Sequence, residues 1–230
     1  MLNLRSVPRR AQRGLSLVEL MVGVAVGRFV VAGAWFVVAT QLGDNSRVLL
    51  ETQIQQDLRA TMDIITRELR RAGAIPTLLN VVWYPGTPGV LRNPRSQITV
   101  GAGQDRIEFE YRRESGVEGP FGFRLDNGRI QTQIGAGNWQ ELTDSQIMTV
   151  TAFTVTPVVV ATEQLPCPKE CAGGGTACWP TLTVRDYVIE ITARSRTDAN
   201  VRRSLRNEVR VRNDWVRFND PADPDQVCPA

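Results

Sequence analysis

The first pattern in the chain is a long apolar run close to the N-terminus. Residues 20–38 contain one charged side chain, Arg28. A helix of this length rises roughly 28 Å, about the thickness of a bilayer core. The run is longer than the apolar region of a cleaved secretory signal, and no clean Ala-x-Ala site follows it. The pattern therefore predicts a transmembrane helix at residues 15–40 that stays attached to the chain.

Beyond the apolar run, the hydrophobic positions repeat every three or four residues. The members of this stripe are Leu50, Ile54, Leu58, Met62, Ile65, Leu69 and Ala72. This spacing predicts an amphipathic helix at residues 41–75 that packs on a core, and Gly73 and Pro76 provide the stop signal. One helix from about residue 15 to residue 72 is expected, and the GDNS sequence at residues 43–46 is where it would break or bend.

From about residue 98 the hydrophobic period changes to two. Ile107, Phe109 and Tyr111 alternate with polar residues, and FGFRL-DNG-RIQTQI reads as a tight hairpin. Three later strands are predicted in QIMTVTAFTVT, RDYVIEITAR and LRNEVRVRN, with loops at 77–97 and 157–185. A helix followed by strands indicates an α+β fold in which residues 76–230 form a domain with an antiparallel β-sheet.

The charge distribution gives the orientation of the apolar run. Four arginines precede it, namely Arg5, Arg9, Arg10 and Arg13. Such a basic flank is kept in the cytoplasm, so the chain is expected to cross a membrane once, with the C-terminal domain on the far side. Without these four, the chain has 23 basic residues against 24 acidic ones. DNA binding by the arginine-rich segment near residues 202–212 is therefore not expected.

Composition also limits the chemistry of the chain. There is no histidine, which removes histidine triads, histidine general bases and histidine metal ligands. No phosphate-binding glycine loop is recognisable. We therefore expect a non-enzymatic protein without a cofactor.

Four cysteines, Cys167, Cys171, Cys178 and Cys228, are the remaining reactive side chains. An even number in an exported domain favours two disulfides, for which three pairings exist. A metal site made of all four thiolates is the alternative, but the spacing is poor for zinc. Free thiols are the third possibility.

A distinctive motif joins the basic leader to the apolar run. In RGLSLVEL, Gly14 ends the leader and Glu19 is the fifth residue after it. The motif closely resembles the type IV prepilin signal, although Phe is usual in that family where this chain has Leu15. The resemblance implies a leader of residues 1–14, cleavage by prepilin peptidase between Gly14 and Leu15, and methylation of the Leu15 amine. It also implies that Glu19 meets the N-terminal amine of a neighbouring subunit.

Glu19 and Arg28 are both costly in hydrocarbon and therefore point to partners. They are nine residues apart, which places them on opposite faces of a helix, so they cannot pair within one chain. We hypothesise that Arg28 meets an acid on a partner helix. The alternative is that its side chain reaches the interface or thins the bilayer locally. Gly23 and Gly27 form a GxxxG pair that permits close helix approach.

Longer segments extend the resemblance along most of the chain. The text QQDLRATMDIITRELRRAGA, the LDNG hairpin, WQELTDSQIMTVTAFTV and RNEVRVRN are similar to minor pilins of the PilW family. This resemblance implies a pilin-like fold and assembly with other minor pilins and the major pilin. It also implies a single pass through the inner membrane with the C-terminal domain in the periplasm, and a final location in a surface pilus. GspJ-type pseudopilins of type II secretion share the same plan. An anchored periplasmic binding module that never polymerises is a third hypothesis.

The resemblance also suggests a role for the cysteines. Many pilins fasten their C-terminus with a disulfide, which suggests Cys178–Cys228 together with Cys167–Cys171. The glycine-rich loop between Cys167 and Cys178 could serve as a binding tip, but a structural role for the bridges is preferred.

Overall fold

The computed structural model describes residues 14, 16–75, 93–113, 116, 119–219 and 227–229. Among them, one helix, α1 (Leu17–Arg70), precedes nine strands. The strands are β1 (Ile98–Val100), β2 (Arg106–Phe109), β3 (Phe121–Asp126), β4 (Arg129–Ile134), β5 (Gln140–Glu141), β6 (Met148–Gln164), β7 (Thr181–Ser195), β8 (Arg202–Arg210) and β9 (Trp215–Arg217). All strand pairs are antiparallel, which confirms the α+β class. The chain divides into two compact units, Met1–Val48 and Leu49–Ala230.

In the first unit, the described residues from Leu17 onward are helical and exposed. Within the described part of the chain, α1 is the one helix long and apolar enough to cross a membrane, and its mean hydropathy reaches 2.0. The helix continues through residues 43–46, so no break occurs there. The Ser46 hydroxyl donates to the Gly43 carbonyl at 2.7 Å within the helix. One glycine costs a helix only about 1 kcal/mol, too little to interrupt so long an element.

In the second unit, the remaining part of α1 buries the predicted stripe. Ile54, Leu58, Ile65 and Leu69 are fully buried, and Met62 and Ala72 are nearly so. After α1 ends, Gly73 adopts a left-handed conformation (φ +77°) and its N–H donates to the Glu110 carbonyl at 2.8 Å. The end of the helix is thus tied to the sheet domain by the glycine that the sequence identified as a stop.

The first sheet has five strands in the order β1-β2-β3-β4-β5. The predicted hairpin joins β3 to β4, with Asp126 paired to Arg129. Asn127 and Gly128 both have positive φ, as a tight two-residue hairpin turn requires. A Cβ at Gly122 of β3 would lie 2.8 Å from the Ile107 carbonyl, so only glycine fits at this crowded position.

The second sheet contains β6-β7-β8, and β9 also pairs with β7. The predicted loop at 157–185 is wrong at both ends, because β6 extends to Gln164 and β7 begins at Thr181. Pro157 lies within β6, which is an edge strand of this sheet. An edge position tolerates proline because the missing N–H need not serve a neighbouring strand. Of the other predicted loop, residues 77–92 lie outside the described part, and strand β1 begins at Ile98.

The core of this unit lies between the two sheets and the second half of α1. Phe109, Tyr111, Phe121 and Phe123 form an aromatic group in it, and the Tyr111 and Phe121 rings stack with centroids 4.1 Å apart. Aliphatic residues from both sheets and the helix stripe complete the core. The sheet domain therefore has a single large core in which α1 is an integral element.

Candidate functional site

The helix start holds the predicted processing residues. Gly14 is exposed and lies three residues before the first residue of α1, whereas Leu15 is outside the described residues. The cleavage and methylation predictions therefore stay predictions. Glu19 is exposed in the first turn of α1, where a carboxylate interacts favourably with the positive end of the helix dipole.

Glu19 and Arg28 both lie on the exposed, apolar part of α1. Nine residues of helix separate them by about 13.5 Å along the axis and by half a turn. Accordingly, neither side chain forms an ion pair with a described residue. Any partner of these charges must come from outside this part of the chain.

Arg28 lies in an open groove along one face of α1. The groove is lined by Val24, Gly27, Arg28, Val31, Ala32 and Trp35. These positions recur every three or four residues, so they form one stripe of the helix. The stripe combines a small residue at Gly27 with larger apolar side chains and one cation.

The structure places all four cysteines in disulfides, so none remains as a free thiolate ligand. The pairs are Cys167–Cys228 and Cys171–Cys178, with Cα–Cα distances of 5.6 and 5.7 Å. The suggested pairing was therefore wrong. The reason is the true length of β6 and β7, which leaves a short loop at 165–180 between two paired strand ends.

Within that loop, the inner disulfide spans a tight turn. The Cys171 N–H donates to the Gly175 carbonyl at 2.9 Å, and Gly174 and Gly175 both have positive φ. This reversal brings Cys178 back to Cys171. The fold of the loop therefore excludes the pairing of neighbours Cys167 and Cys171.

The outer disulfide fastens the C-terminal tail to the end of the second sheet. Cys228 packs with Val216, Phe218 and Val227 in a small apolar cluster separate from the main core. Asn219 adds a hydrogen bond from its side-chain amide to the Trp179 carbonyl at 2.8 Å. The tail is thus held covalently and by packing, as the sequence reasoning expected for Cys228 even though its partner differed.

A buried charge cluster was missed by the sequence reasoning. Glu68 of α1 is only 9% exposed and accepts a hydrogen bond from the Tyr111 hydroxyl. Arg113 donates to the same carboxylate at 3.0 Å and Arg71 at 3.3 Å. The only available signal was the position of Glu68 beside Leu69 of the apolar stripe. Nothing else in the sequence distinguishes this glutamate from the exposed charges of the same helix.

This cluster perturbs the protonation of Tyr111. Burial raises the pKa of the Tyr111 phenol, and the hydrogen bond from its hydroxyl to Glu68 raises it further. Because the Tyr111 hydroxyl stays protonated, it remains a donor to Glu68 throughout the neutral range. The cluster joins the second half of α1 to the sheet domain by charge as well as by packing.

Two arginines of the C-terminal arginine-rich segment are paired with acids. Arg203 forms an ion pair with Glu51 of α1, and Arg206 with Glu190 of β7 at 3.4 Å. Pairing of this kind favours a structural role over phosphate binding.

These observations first define a class. A 54-residue helix is exposed and apolar in its first part, and in its second part it is buried against antiparallel sheets. Such a helix is compatible with membrane anchoring of a pilin-like protein.

Comparison with known families gives the particular assignment. The family model for prepilin peptidase-dependent protein B matches residues 47–211, and the chain belongs to that family. It is therefore a type IV pilin-related protein. No curated protein and no solved structure matches the chain significantly.

Proposed function

We propose that the chain is a minor pilin, resembling PilW, that takes part in type IV pilus assembly. In this role it primes assembly in a complex with other minor pilins and the major pilin, and can finish at the pilus tip. The observation that carries the proposal is α1 itself. Its first part presents apolar side chains outward, and its second part belongs to the core of the sheet domain.

In this proposal the subunit is first anchored in the inner membrane, before assembly. Prepilin peptidase cuts after Gly14 and methylates Leu15, and the C-terminal domain lies in the periplasm. The apolar helix remains on the mature subunit and packs against neighbouring helices when subunits leave the bilayer. Glu19 sets the register by meeting the amine of a neighbour, since a carboxylate in an apolar bundle requires a cation.

The proposed role is structural and non-enzymatic. A GspJ-like pseudopilin of type II secretion would use the same helix and the same processing, so the two roles differ in which assembly fails when the gene is removed. The match to a prepilin peptidase-dependent family supports either role over an anchored binding module that never polymerises.

An in-frame deletion tests the proposal. We expect the deletion to reduce pili sheared from the cell surface, wild type to restore them, and Glu19→Ala not to. Glu141→Ala, which changes an exposed carboxylate in the sheet domain, is the matched control and should restore pili. Normal piliation with impaired protein secretion would contradict the minor pilin role and identify the pseudopilin.

A further inference from the structure

The proposed function gives no role to Arg28, the cation at the middle of the apolar part of α1. Arg28 is close to the centre of residues 20–38, about 12 to 15 Å from either end along the helix axis. A side chain at this depth has far to reach before it meets interfacial water. A carboxylate on a neighbouring helix would satisfy the guanidinium where it lies.

The surroundings of Arg28 suit a second helix. Gly27 has no atom within 4 Å of the position of an added Cβ, so the backbone is open to close approach there. Val24 and Val31, one turn to either side, and Trp35, one turn further on, form ridges along the same groove. A second apolar helix can therefore pack along this face, and the charge of Arg28 favours a helix that carries an acid.

The chain itself carries the complementary charge. Glu19 is the one acidic residue among described residues 16–43, and it lies on the face opposite the Arg28 groove. Two parallel copies shifted by about 13.5 Å would place Glu19 of one beside Arg28 of the other. In that arrangement both charges lose their exposure to hydrocarbon in a single contact.

We propose that Arg28 forms an ion pair within the membrane with Glu19 of a second, parallel copy of this chain, whose helix lies in the Val24–Trp35 groove. The Glu19 carboxylate has two oxygens, so one accepts from the guanidinium while the other accepts from the N-terminal amine of the proposed assembly. The inference rests on the proposed function, because it gives a pilin-like subunit its neighbour. The contact uses different faces on the two copies, so it is heterologous. With an axial shift the contact does not close into a ring, and it leaves one unused face at each end of the pair for a different pilin subunit.

The experiment uses the full chain, co-expressed in bacterial membranes with prepilin peptidase as two copies carrying different tags. Co-purification of the two tags measures association. We expect Arg28→Gln paired with itself, and Glu19→Gln paired with itself, each to lose about tenfold or more of wild-type association. Asp44→Asn, which changes a charge outside residues 20–38, should associate as wild type does.

The decisive sample mixes the two variants. A Glu19→Gln copy keeps Arg28 and an Arg28→Gln copy keeps Glu19, so one complementary pair can still form. We expect this mixture to recover most of the wild-type signal. A mixture as weak as the single variants, an Arg28→Gln pair as strong as wild type, or a wild-type chain that never associates with itself would each overturn the inference.

The N-terminal sequence of the chains in every sample distinguishes failure of this inference from failure of the proposed function. If the chains are processed to Leu15 but Arg28→Gln associates as strongly as wild type, the second-copy contact is contradicted and the pilin role is left intact. Chains that keep the leader and still show complementation contradict the pilin role and leave the contact intact.

Discussion

Replacement of Glu68 by glutamine tests how α1 is held to the sheet domain. Glu68→Gln keeps the size of the side chain but removes the charge that faces Tyr111, Arg113 and Arg71. The glutamine NH₂ group also replaces one acceptor with a donor. One or more of the donors around this position therefore loses its partner at a side chain that is only 9% exposed.

The magnitude follows from the exposure of each partner. The Arg71 and Arg67 side chains are 52% and 65% exposed, so water replaces their lost contacts at little cost. The Tyr111 hydroxyl is buried, and the Arg113 side chain is 29% exposed. Hydrogen bonds to charged groups contribute about 1.5–3 kcal/mol each. Because part of this is regained by the glutamine oxygen and by solvent, we expect a loss of about 2–3 kcal/mol in the free energy of unfolding.

Thermal unfolding of the purified full chain in detergent, followed by circular dichroism, measures this loss. A domain of this size should show a decrease in Tm of roughly 4–12 °C. Glu141→Gln is the control, because its ion pair with Arg129 is solvent-exposed and its removal should change Tm little. A double-mutant cycle with Tyr111→Phe should give a coupling energy of about 1 kcal/mol. Equal Tm values for Glu68→Gln and Glu141→Gln would refute the structural role assigned to the cluster.

Three further predictions concern the stability of the same domain, measured by thermal or chemical unfolding. Burial and the nearby charge of Asp144 raise the pKa of Asp57, so the ionised form opposes folding; Asp57→Asn should stabilise by a few tenths of a kcal/mol at pH 7 and not at pH 3. Burial raises the pKa of Tyr187, so the contribution of Tyr187 to stability should be constant below about pH 10 and be lost above it, and the fall in stability above about pH 10 should be shallower in Tyr187→Phe. Double serine substitution of the disulfide that closes 61 residues should cost about 4 kcal/mol, against about 2 kcal/mol for the one that closes seven; equal losses would contradict this.

Local patterns in the sequence predicted much of this fold. The stripe from Ile54 to Leu69 is buried as its spacing requires, because a packed helix must face one side to the core. The DNG hairpin forms because Asn127 and Gly128 tolerate positive φ at adjacent positions. Both signals depend only on neighbouring residues, so no knowledge of the tertiary structure was needed.

The features that were missed depend on partners distant in the sequence. Pro157 suggested a loop, and only the sheet order shows that it lies on an edge strand. The disulfide pairing depends on where β6 and β7 end, which the proline- and glycine-rich composition concealed. Glu68 looks like any helix-surface acid until the sheet brings Tyr111 and Arg113, more than 40 residues away, onto its carboxylate.

At the processing site, the residues could be predicted from a local motif, but their roles depend on partners. Gly14 and Glu19 were identified from a motif of eight residues, and their exposure around the start of α1 is what access by a peptidase and a partner requires. The roles of these residues depend on other proteins, so neither the fold nor the pattern alone determines them.

The mature N-terminus is the most direct test of the central claim that this chain is a prepilin-type subunit. The full chain should be expressed with an active prepilin peptidase, recovered from membranes, and examined by intact mass and N-terminal sequencing, with a known pilin as the processing control. The account predicts a chain that begins at an N-methylated Leu15 and retains the apolar helix. A chain that still begins at Met1 while the control pilin is processed would contradict it.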